Sequence, residues 1–217
     1  MSLRILLADD HAILREGIRR SFESAGEEVV GEAANGEEAL ELAVATRPDV
    51  IVMDLSMPVL DGIDATKRIK ERMPDAKVVV LTMHDDVDST RRAVGAGAAG
   101  FMSKGSSFAD VLATVRGVAQ GDIGFSPELA AAMLNVAREP VVIDLDANEV
   151  ESLLSERQVE ILQAIADGAT TKQVARQLNI TQKTVHNHLN AIYRRLDTQS
   201  LTHAVLSAVR LGIIELD

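Results

Sequence analysis

Acidic side chains follow the first and third apolar segments of the sequence, where those segments end. Asp9 and Asp10 come directly after the run at 4–8, and Asp54 follows Val50–Met53. Val50–Met53 has the length and β-branched content of a buried strand. A carboxylate beside a buried strand costs free energy unless a cation or a hydrogen-bond donor lies next to it. The sequence therefore predicts that specific partners surround Asp54.

The elements that would position these carboxylates alternate in type along the first 120 residues. The predicted strands are residues 4–8, 28–33, 49–53, 77–81 and 99–102. The predicted helices are Ala12–Ser24, Glu37–Thr46, Gly62–Arg72, Asp86–Ala96 and Phe108–Gln120. Five strands alternating with helices predict an α/β, doubly wound fold, with a parallel sheet that has helices on both faces. Glycines at 26, 97 and 121 are predicted to end helices.

Polar side chains also follow the fourth and fifth strands. Thr82 and His84 come after the fourth strand, and Lys104 comes after the fifth. In a sheet of this kind the functional crevice lies at the carboxyl ends of the strands. We therefore expect the carboxylates, the Thr82 hydroxyl and the Lys104 ammonium to meet at one edge of the sheet.

Three carboxylates at one edge repel one another and need a cation. The chain has no cysteine, and oxygen ligands favour Mg²⁺. A Mg²⁺ site beside a lysine is an arrangement for phosphoryl transfer, in which one carboxylate can be the nucleophile and form an acyl phosphate. Asp54 is the candidate nucleophile because it ends a buried central strand. In the structural alternative, Asp9 and Asp10 only cap the following helix and Lys104 is a surface lysine.

Residues 1–121 resemble the receiver domain of two-component response regulators, which has a flavodoxin-like fold. The resemblance rests on Asp9-Asp10, Asp54, Thr82, Lys104 and the segment MPVLDG at 57–62. It implies that Asp54 accepts a phosphoryl group from a sensor histidine kinase. It further implies a Mg²⁺ site formed by Asp10, Asp54 and the backbone carbonyl of Ser56, with Asp9 acting mainly through water.

The same resemblance assigns the switching residues. It implies that Lys104 pairs with the phosphoryl group, that Thr82 hydrogen-bonds to it, and that Phe101 is the coupled switch aromatic. Ordinary core packing is the alternative for Phe101. Ser56 and His84 occupy positions that vary in the family and are thought to tune dephosphorylation, and Gly105 stands where many receivers have a cis proline.

The charge of the chain is unevenly distributed. Residues 1–152 have a net charge of −12, whereas residues 153–217 have a net charge of +1. Within the latter, Thr170–Leu196 contains five basic residues and no acidic residue. This segment is either a solvated helical face or a nucleic-acid surface on an acidic protein.

Residues 153–217 have the pattern of an all-α domain. Ser155 and Thr181 are predicted N-caps, glycines at 168 and 212 end helices, and Ser200 begins the last helix. Two helices joined by LNIT at 178–181 form a helix-turn-helix pattern. Residues 122–152 are interpreted as a linker with a helix at 126–138 and, as an option, a short strand at 141–145.

The segment from 153 resembles the LuxR-type helix-turn-helix, and the whole chain resembles the NarL/FixJ family of response regulators. The resemblance makes Gln182–Leu196 the recognition helix, with Val185, Leu189, Ile192 and Leu196 packed inward. The base-reading candidates are Lys183, His186, Asn187 and Asn190. The phosphate-contact candidates are Lys172, Thr184, His188, Arg194 and Arg195. His186 stands where the family usually has Lys, and Thr171 where it often has Asn.

These observations predict a transcriptional regulator that binds double-stranded DNA, is controlled by phosphorylation and is a homodimer when active. A regulator switched independently of phosphorylation is the alternative. An aspartyl-phosphate hydrolase is disfavoured because only His84 is available as a second acid or base, so we expect slow self-dephosphorylation and no other enzymatic activity. The absence of long apolar runs and cysteines predicts no membrane partner and a cytoplasmic location.

Overall fold

A computed structural model describes residues 2–83, 87–122, 153–198 and 201–215. The predicted helix at 126–138, the optional strand at 141–145, His84 and Ser200, the predicted start of the last helix, lie outside these ranges. Within the described residues, no helix has the length and apolar character needed to cross a bilayer.

The first half of the chain is a parallel five-stranded sheet with strand order β2-β1-β3-β4-β5. The strands are β1 (Arg4–Ala8), β2 (Glu28–Ala33), β3 (Val50–Met53), β4 (Val78–Thr82) and β5 (Gly100–Ser103). The helices between and after them are α1 (Ala12–Ser24), α2 (Gly36–Thr46), α3 (Gly62–Arg72), α4 (Val87–Gly95) and α5 (Phe108–Ala119). The predicted doubly wound architecture is therefore confirmed, with bounds that differ by one residue at several ends.

Alternating residues of the central strands pack on opposite faces of the sheet. Ile51 and Met53 lie in one apolar cluster with residues of α2 and α3. Val50 and Val52 lie in another cluster with Phe22 of α1 and with valines of α5. Because β3 and β4 are covered on both faces, they consist of apolar residues throughout, apart from the terminal Thr82.

Short polar and glycine signals set the helix ends. Asn35, Asp61 and Ser107 cap α2, α3 and α5 by accepting a hydrogen bond from a backbone N–H of the first turn. Gly26 and Gly121 have positive φ after α1 and α5, as predicted from the sequence. The cap at Asn35 places Gly36 inside α2, one residue before the predicted start.

The second half is helical. Its described elements are α6 (Glu156–Ala166), α7 (Thr171–Gln177), α8 (Gln182–Arg195) and α9 (Leu201–Arg210). Capping boxes begin α6 and α7, and Thr181 caps α8. Val185, Leu189 and Ile192 of α8 are buried, as predicted for its inward face, whereas Leu196 follows the end of the helix and is half-buried against the same apolar cluster.

The two halves pack against each other. Helix α9 contacts α4, and Val94 and Ala98 of the first half belong to the same contiguous apolar cluster as Val205 and Ala208 of α9. A cavity of about 160 Å³ lies at this junction and is lined by residues of both halves, among them Lys70, Lys77, Asp122, His186, Asn190 and Tyr193.

Candidate functional site

The carboxyl ends of β1 and β3 bring two buried carboxylates to the same edge of the sheet. Ala8 pairs with Met53 in the register, so Asp9 and Asp54 leave their strands at the same level. Asp54 N donates to Ala8 O at 2.8 Å, which continues the ladder by one residue. Asp9 and Asp54 are 5% and 3% exposed, respectively. The fold therefore holds two carboxylates in a position where they need a cationic partner.

Lys104 is that partner. Its Nζ lies 2.7 Å from Asp9 Oδ2 and 2.8 Å from Asp54 Oδ2, and its side chain is 4% exposed. Lys104 N donates to Thr82 O at 2.8 Å, which fixes the residue at the end of β5. Burial alone would lower the pKa of the Lys104 ammonium, but its hydrogen bonds to Asp54 and Asp9 raise the pKa above its ordinary value. The lysine is therefore a fixed positive charge at the predicted phosphorylation site.

Four side chains present possible metal ligands at this edge. Asp9, Asp10, His11 and Asp54 each offer an atom, and these atoms all lie within 4.8 Å of one another. The three carboxylates fit Mg²⁺, which binds oxygen ligands. Ser56 follows Asp54 by two residues in the loop after β3 and is exposed between the buried Leu55 and Met57.

His11 is a member of this group that was not among the predicted site residues. Its Nδ1 lies 2.8 Å from Asp10 Oδ1 and 3.3 Å from Asp9 Oδ1, and its backbone N donates to Asp9 Oδ1 at 2.8 Å. Its position directly after two acidic residues was the available signal. The contact holds the exposed Asp10 carboxylate close to that of Asp9.

Gly62 closes the loop behind Asp54. Gly62 N donates to Leu55 O at 2.9 Å, and a Cβ at this position would lie 1.9 Å from Asp54 O. The start of α3 thus packs directly on the backbone of the candidate nucleophile. This explains the glycine at the end of MPVLDG.

The predicted switch residues lie on the two neighbouring strands. Thr82 is fully buried at the end of β4. Because Met53 pairs with Val80, Asp54 is level with Leu81, and Thr82 lies one residue further along β4. Phe101 is 1% exposed on β5 and pairs with Val80 in the register. Phe101 belongs to the apolar cluster that includes Val94 of α4 and extends into the helical half. A displacement of Phe101 would therefore change the packing at the junction between the two halves.

The predicted DNA-contact residues differ in exposure. Exposed members are Lys172, Lys183, Asn187, Asn190, Arg194 and Arg195, whereas Thr184, His186 and His188 are half-buried. Arg195 Nη1 donates to Leu153 O and Gln158 Oε1, both at 3.2 Å, so this side chain also holds α8 against the start of α6. Asn190 lines the cavity between the two halves.

His186 contacts the first half of the chain. Its Nε2 lies 2.9 Å from Gln120 O, and its Nδ1 lies 2.8 Å from Gln182 O within α8. Close by, Asp122 Oδ1 accepts hydrogen bonds from Thr171 N at 2.6 Å and from Thr171 Oγ1 at 2.9 Å. The residues that follow α5 thus contact both helices of the helix-turn-helix. Sequence reasoning missed this role of Asp122, which was assigned to a linker.

Burial lowers the pKa of two side chains at the junction between the two halves, Lys70 and His203. Burial lowers the pKa of the Lys70 ammonium to about 8, with Asp75 opposing the shift. Burial also lowers the pKa of His203 on α9, and the charges of Lys70 and Arg210 add to this, while hydrogen bonds with the backbone of Val94 and Gly95 oppose it. His203 therefore joins α9 to the end of α4 mainly as a neutral side chain.

Comparison with known proteins covers both halves of the chain. Residues 5–116 match the family described as response regulator receiver domain, and residues 152–208 match the luxR family of bacterial regulatory proteins. The chain is 35% identical to the response regulator protein VraR of Staphylococcus aureus over 216 residues, covering 99% of this chain and all of VraR. It is 32% identical to the transcriptional regulatory protein DegU of Brevibacillus brevis over 225 residues, covering 98% of this chain and 95% of DegU. A crystal structure of a LuxR-family two-component response regulator from Aurantimonas is 37% identical with a TM-score of 0.59, and covers 64% of this chain and 100% of its own.

Proposed function

The chain is a two-component response regulator of the NarL/FixJ family, with a receiver domain and a LuxR-type DNA-binding domain, and we propose that phosphorylation of Asp54 controls its binding to DNA. A sensor histidine kinase is the proposed phosphodonor. The observation that carries the proposal is the bridge from Lys104 to both Asp9 and Asp54. It supports a site in which one carboxylate reacts while a fixed ammonium balances the added charge.

The proposed chemistry is a transfer between two side chains. An Asp54 carboxylate oxygen attacks the phosphorus of a phosphohistidine, and the new P–O bond forms as the P–N bond breaks. The histidine nitrogen of the kinase leaves with the electron pair and takes up a proton. Lys104 then turns from the Asp54 carboxylate to a phosphoryl oxygen, which remains within reach because Lys104 is buried in the same pocket.

Asp9, Asp10, Asp54 and the backbone carbonyl of Ser56 are the proposed Mg²⁺ ligands. Bound Mg²⁺ would neutralise the phosphoryl oxygens during transfer. His11 positions Asp10 for this role through its contact of 2.8 Å. The donor set supports the proposal because three oxygen ligands lie within 4.8 Å of one another.

Thr82 and Phe101 are the proposed switch residues. The Thr82 hydroxyl would donate a hydrogen bond to the phosphoryl group, and Phe101 would follow it. Both are buried, so their rearrangement changes packing rather than solvation alone. The apolar cluster that contains Phe101 reaches α9, which offers a path from phosphorylation to the DNA-binding domain.

The proposed output is sequence-specific binding by a dimer on paired half-sites, because one helix-turn-helix presents a small surface. Lys183, His186, Asn187 and Asn190 are the proposed base contacts. Lys172, Thr184, His188, Arg194 and Arg195 are the proposed phosphate contacts. We propose no catalytic turnover on other substrates. Control without phosphorylation has less support, since Asp9, Asp10, Asp54 and Lys104 meet at one edge of the sheet.

The experiment that tests the proposal is incubation with acetyl phosphate and Mg²⁺, followed by intact mass and size-exclusion measurements. The wild type should gain one phosphoryl group and shift from monomer to dimer, whereas Asp54→Asn should do neither. Asp64→Asn, which changes an exposed aspartate in the first turn of α3, is the matched control and should behave as the wild type. An adduct on Asp54→Asn, or none on a folded wild type that binds Mg²⁺, would contradict the assignment.

A further inference from the structure

His11 lies beside the proposed Mg²⁺ site, and its side chain does not serve the helix that it begins. His11 is the N-cap residue of α1, but its side chain makes no capping hydrogen bond. Side chains at N-cap positions usually accept a hydrogen bond from a backbone N–H of the first turn. The imidazole is 68% exposed, and its Nδ1 lies instead beside Asp9 and Asp10. Helix capping therefore does not explain the position of this imidazole.

The distances from His11 Nδ1 match those between two ligands of one metal ion. Nδ1 lies 2.8 Å from Asp10 Oδ1 and 3.3 Å from Asp9 Oδ1. Nitrogen and oxygen ligands that bind one ion at about 2.0–2.2 Å lie about 3 Å apart. Asp54 offers a further atom, and all four atoms lie within 4.8 Å of one another. Four side chains can therefore surround a single ion after small side-chain movements.

Lys104 does not compete for this position, because it binds the other oxygen of Asp9. Lys104 Nζ lies 2.7 Å from Asp9 Oδ2, whereas the backbone N of His11 donates to Asp9 Oδ1 at 2.8 Å. An ion beside Oδ1 therefore leaves the lysine in place. Three carboxylates and one ammonium sum to two negative charges, which one divalent cation neutralises.

The imidazole changes the class of ion that this donor set prefers. Mg²⁺ takes oxygen ligands and retains several waters, so the three carboxylates are sufficient for it. Imidazole nitrogen is instead a ligand for Zn²⁺, Ni²⁺ and Cu²⁺, and these ions stand late in the order of affinity for mixed nitrogen and oxygen sites. His11 therefore adds a ligand that Mg²⁺ does not need and that late transition-metal ions use.

We propose that His11 is a fourth metal ligand, through which the phosphorylation site binds Zn²⁺ in preference to Mg²⁺. This inference rests on the Mg²⁺ site proposed above and adds a second class of ion to it. With Mg²⁺, His11 only holds Asp10, whereas with Zn²⁺ its Nδ1 binds the ion. Four protein ligands complete the coordination of Zn²⁺, as in structural zinc sites. Asp54 is then a ligand, and no open position remains beside it for a phosphoryl oxygen.

The test is isothermal titration calorimetry of the full chain with Zn²⁺ alone and with Mg²⁺ alone. His11→Gln should weaken Zn²⁺ binding by at least about tenfold, since even residues that only contact a metal ligand often contribute that much. Its Mg²⁺ affinity should stay close to that of the wild type, because glutamine can still donate a hydrogen bond to Asp10. His188→Gln, which changes a half-buried histidine of α8, is the matched control and should keep the wild-type Zn²⁺ affinity.

A spectrum of the Co²⁺-loaded chain tests for the nitrogen ligand directly. Co²⁺ replaces Zn²⁺ as the probe, and its visible absorption bands should change in His11→Gln but not in His188→Gln. Equal Zn²⁺ affinity of the wild type and His11→Gln, with normal Mg²⁺ binding by both, would overturn the inference and leave the proposed function standing. If neither ion binds the wild type, the proposed Mg²⁺ site fails as well.

A third measurement tests the effect on phosphorylation. Intact mass after incubation with acetyl phosphate and Zn²⁺, in the absence of Mg²⁺, should show no adduct on the wild type and an adduct on His11→Gln. Both proteins should gain the adduct with Mg²⁺. An adduct on the Zn²⁺-loaded wild type would overturn the inference, because an open position would then remain beside Asp54.

Discussion

Gly62 lies against Asp54 so closely that a Cβ on the glycine would be 1.9 Å from the Asp54 carbonyl oxygen. Real Cβ atoms do not approach backbone oxygens to this distance, and neither partner is a flexible side chain. The loop after β3 is therefore fixed at both ends, at the buried Asp54 and at the first residue of α3. The position of the candidate nucleophile depends on this contact.

Gly62→Ala should destabilise the receiver by forcing α3 away from β3. We expect a loss of about 1–3 kcal/mol in the free energy of unfolding, the usual cost of overpacking a well-packed site. Urea denaturation of the full chain measures it. Phosphorylation by acetyl phosphate should also slow, because Asp54 moves relative to Lys104.

Gly17→Ala is the matched control, since Gly17 lies within α1 and has nothing within 4 Å of its Cβ position. Alanine is the better helix former, so this change should stabilise the chain by up to about 1 kcal/mol. Equal behaviour of the two alanine variants would mean that the close contact at Gly62 does not constrain the loop.

Lys104→Met should lower the free energy of unfolding, because it leaves two buried carboxylates without their cation. Asp9 and Asp54 then repel each other without a cation, and removing one partner of a buried ion pair costs about 3–5 kcal/mol. Mg²⁺ should return part of this stability by binding only the folded chain. Thermal denaturation with and without Mg²⁺ measures both effects, and the rise in Tm on adding Mg²⁺ should be larger for Lys104→Met than for the wild type. A smaller rise would show that the ion does not bind beside these carboxylates.

His203 should make the stability of the chain depend on pH. Burial beside Lys70 and Arg210 lowers its pKa in the folded state, so the unfolded chain binds the proton more readily. The contribution of His203 to the free energy of unfolding is therefore complete above its pKa in the unfolded chain, about 6.5. This contribution is lost as the pH falls below that value. Urea denaturation between pH 8 and pH 5 should show a smaller decline for His203→Gln than for the wild type. An identical decline would assign the pH dependence to other groups.

The residues at this edge of the sheet could be predicted because each of them directly follows a strand in the sequence. The sequence places Asp9, Asp54 and Lys104 after the first, third and fifth strands of a parallel sheet, and the carboxyl ends of such strands lie at one edge. Strand periodicity and apolar runs were sufficient to locate these ends within one residue. The partner of Asp54 could therefore be named before any distance was known.

The junction between the two domains was not predictable in this way. Gly121 was recognised only as the end of a helix, and Asp122 carried no periodic signal. His186 was interpreted from its place on the recognition helix, which says nothing of its contact of 2.9 Å with Gln120 O. Such contacts depend on the match between two folded surfaces, and no local pattern in the sequence encodes that match.

Lys183→Ala should weaken DNA binding in a way that depends on the DNA sequence. Lys183 is exposed in the first turn of α8, where side chains of a recognition helix reach base edges. A base contact contributes about 1–3 kcal/mol of discrimination, so the variant should lose affinity for a duplex selected from a random library and tolerate changes at one base pair.

Lys172→Ala is the matched comparison, because Lys172 is an exposed lysine of α7 and a proposed phosphate contact. Its loss should be uniform across sequences and should reduce the salt dependence of binding by about one counterion. Fluorescence anisotropy with the selected duplex and its single-base variants, in the phosphorylated state, separates the two effects, and a uniform loss for Lys183→Ala would make that residue a phosphate contact instead.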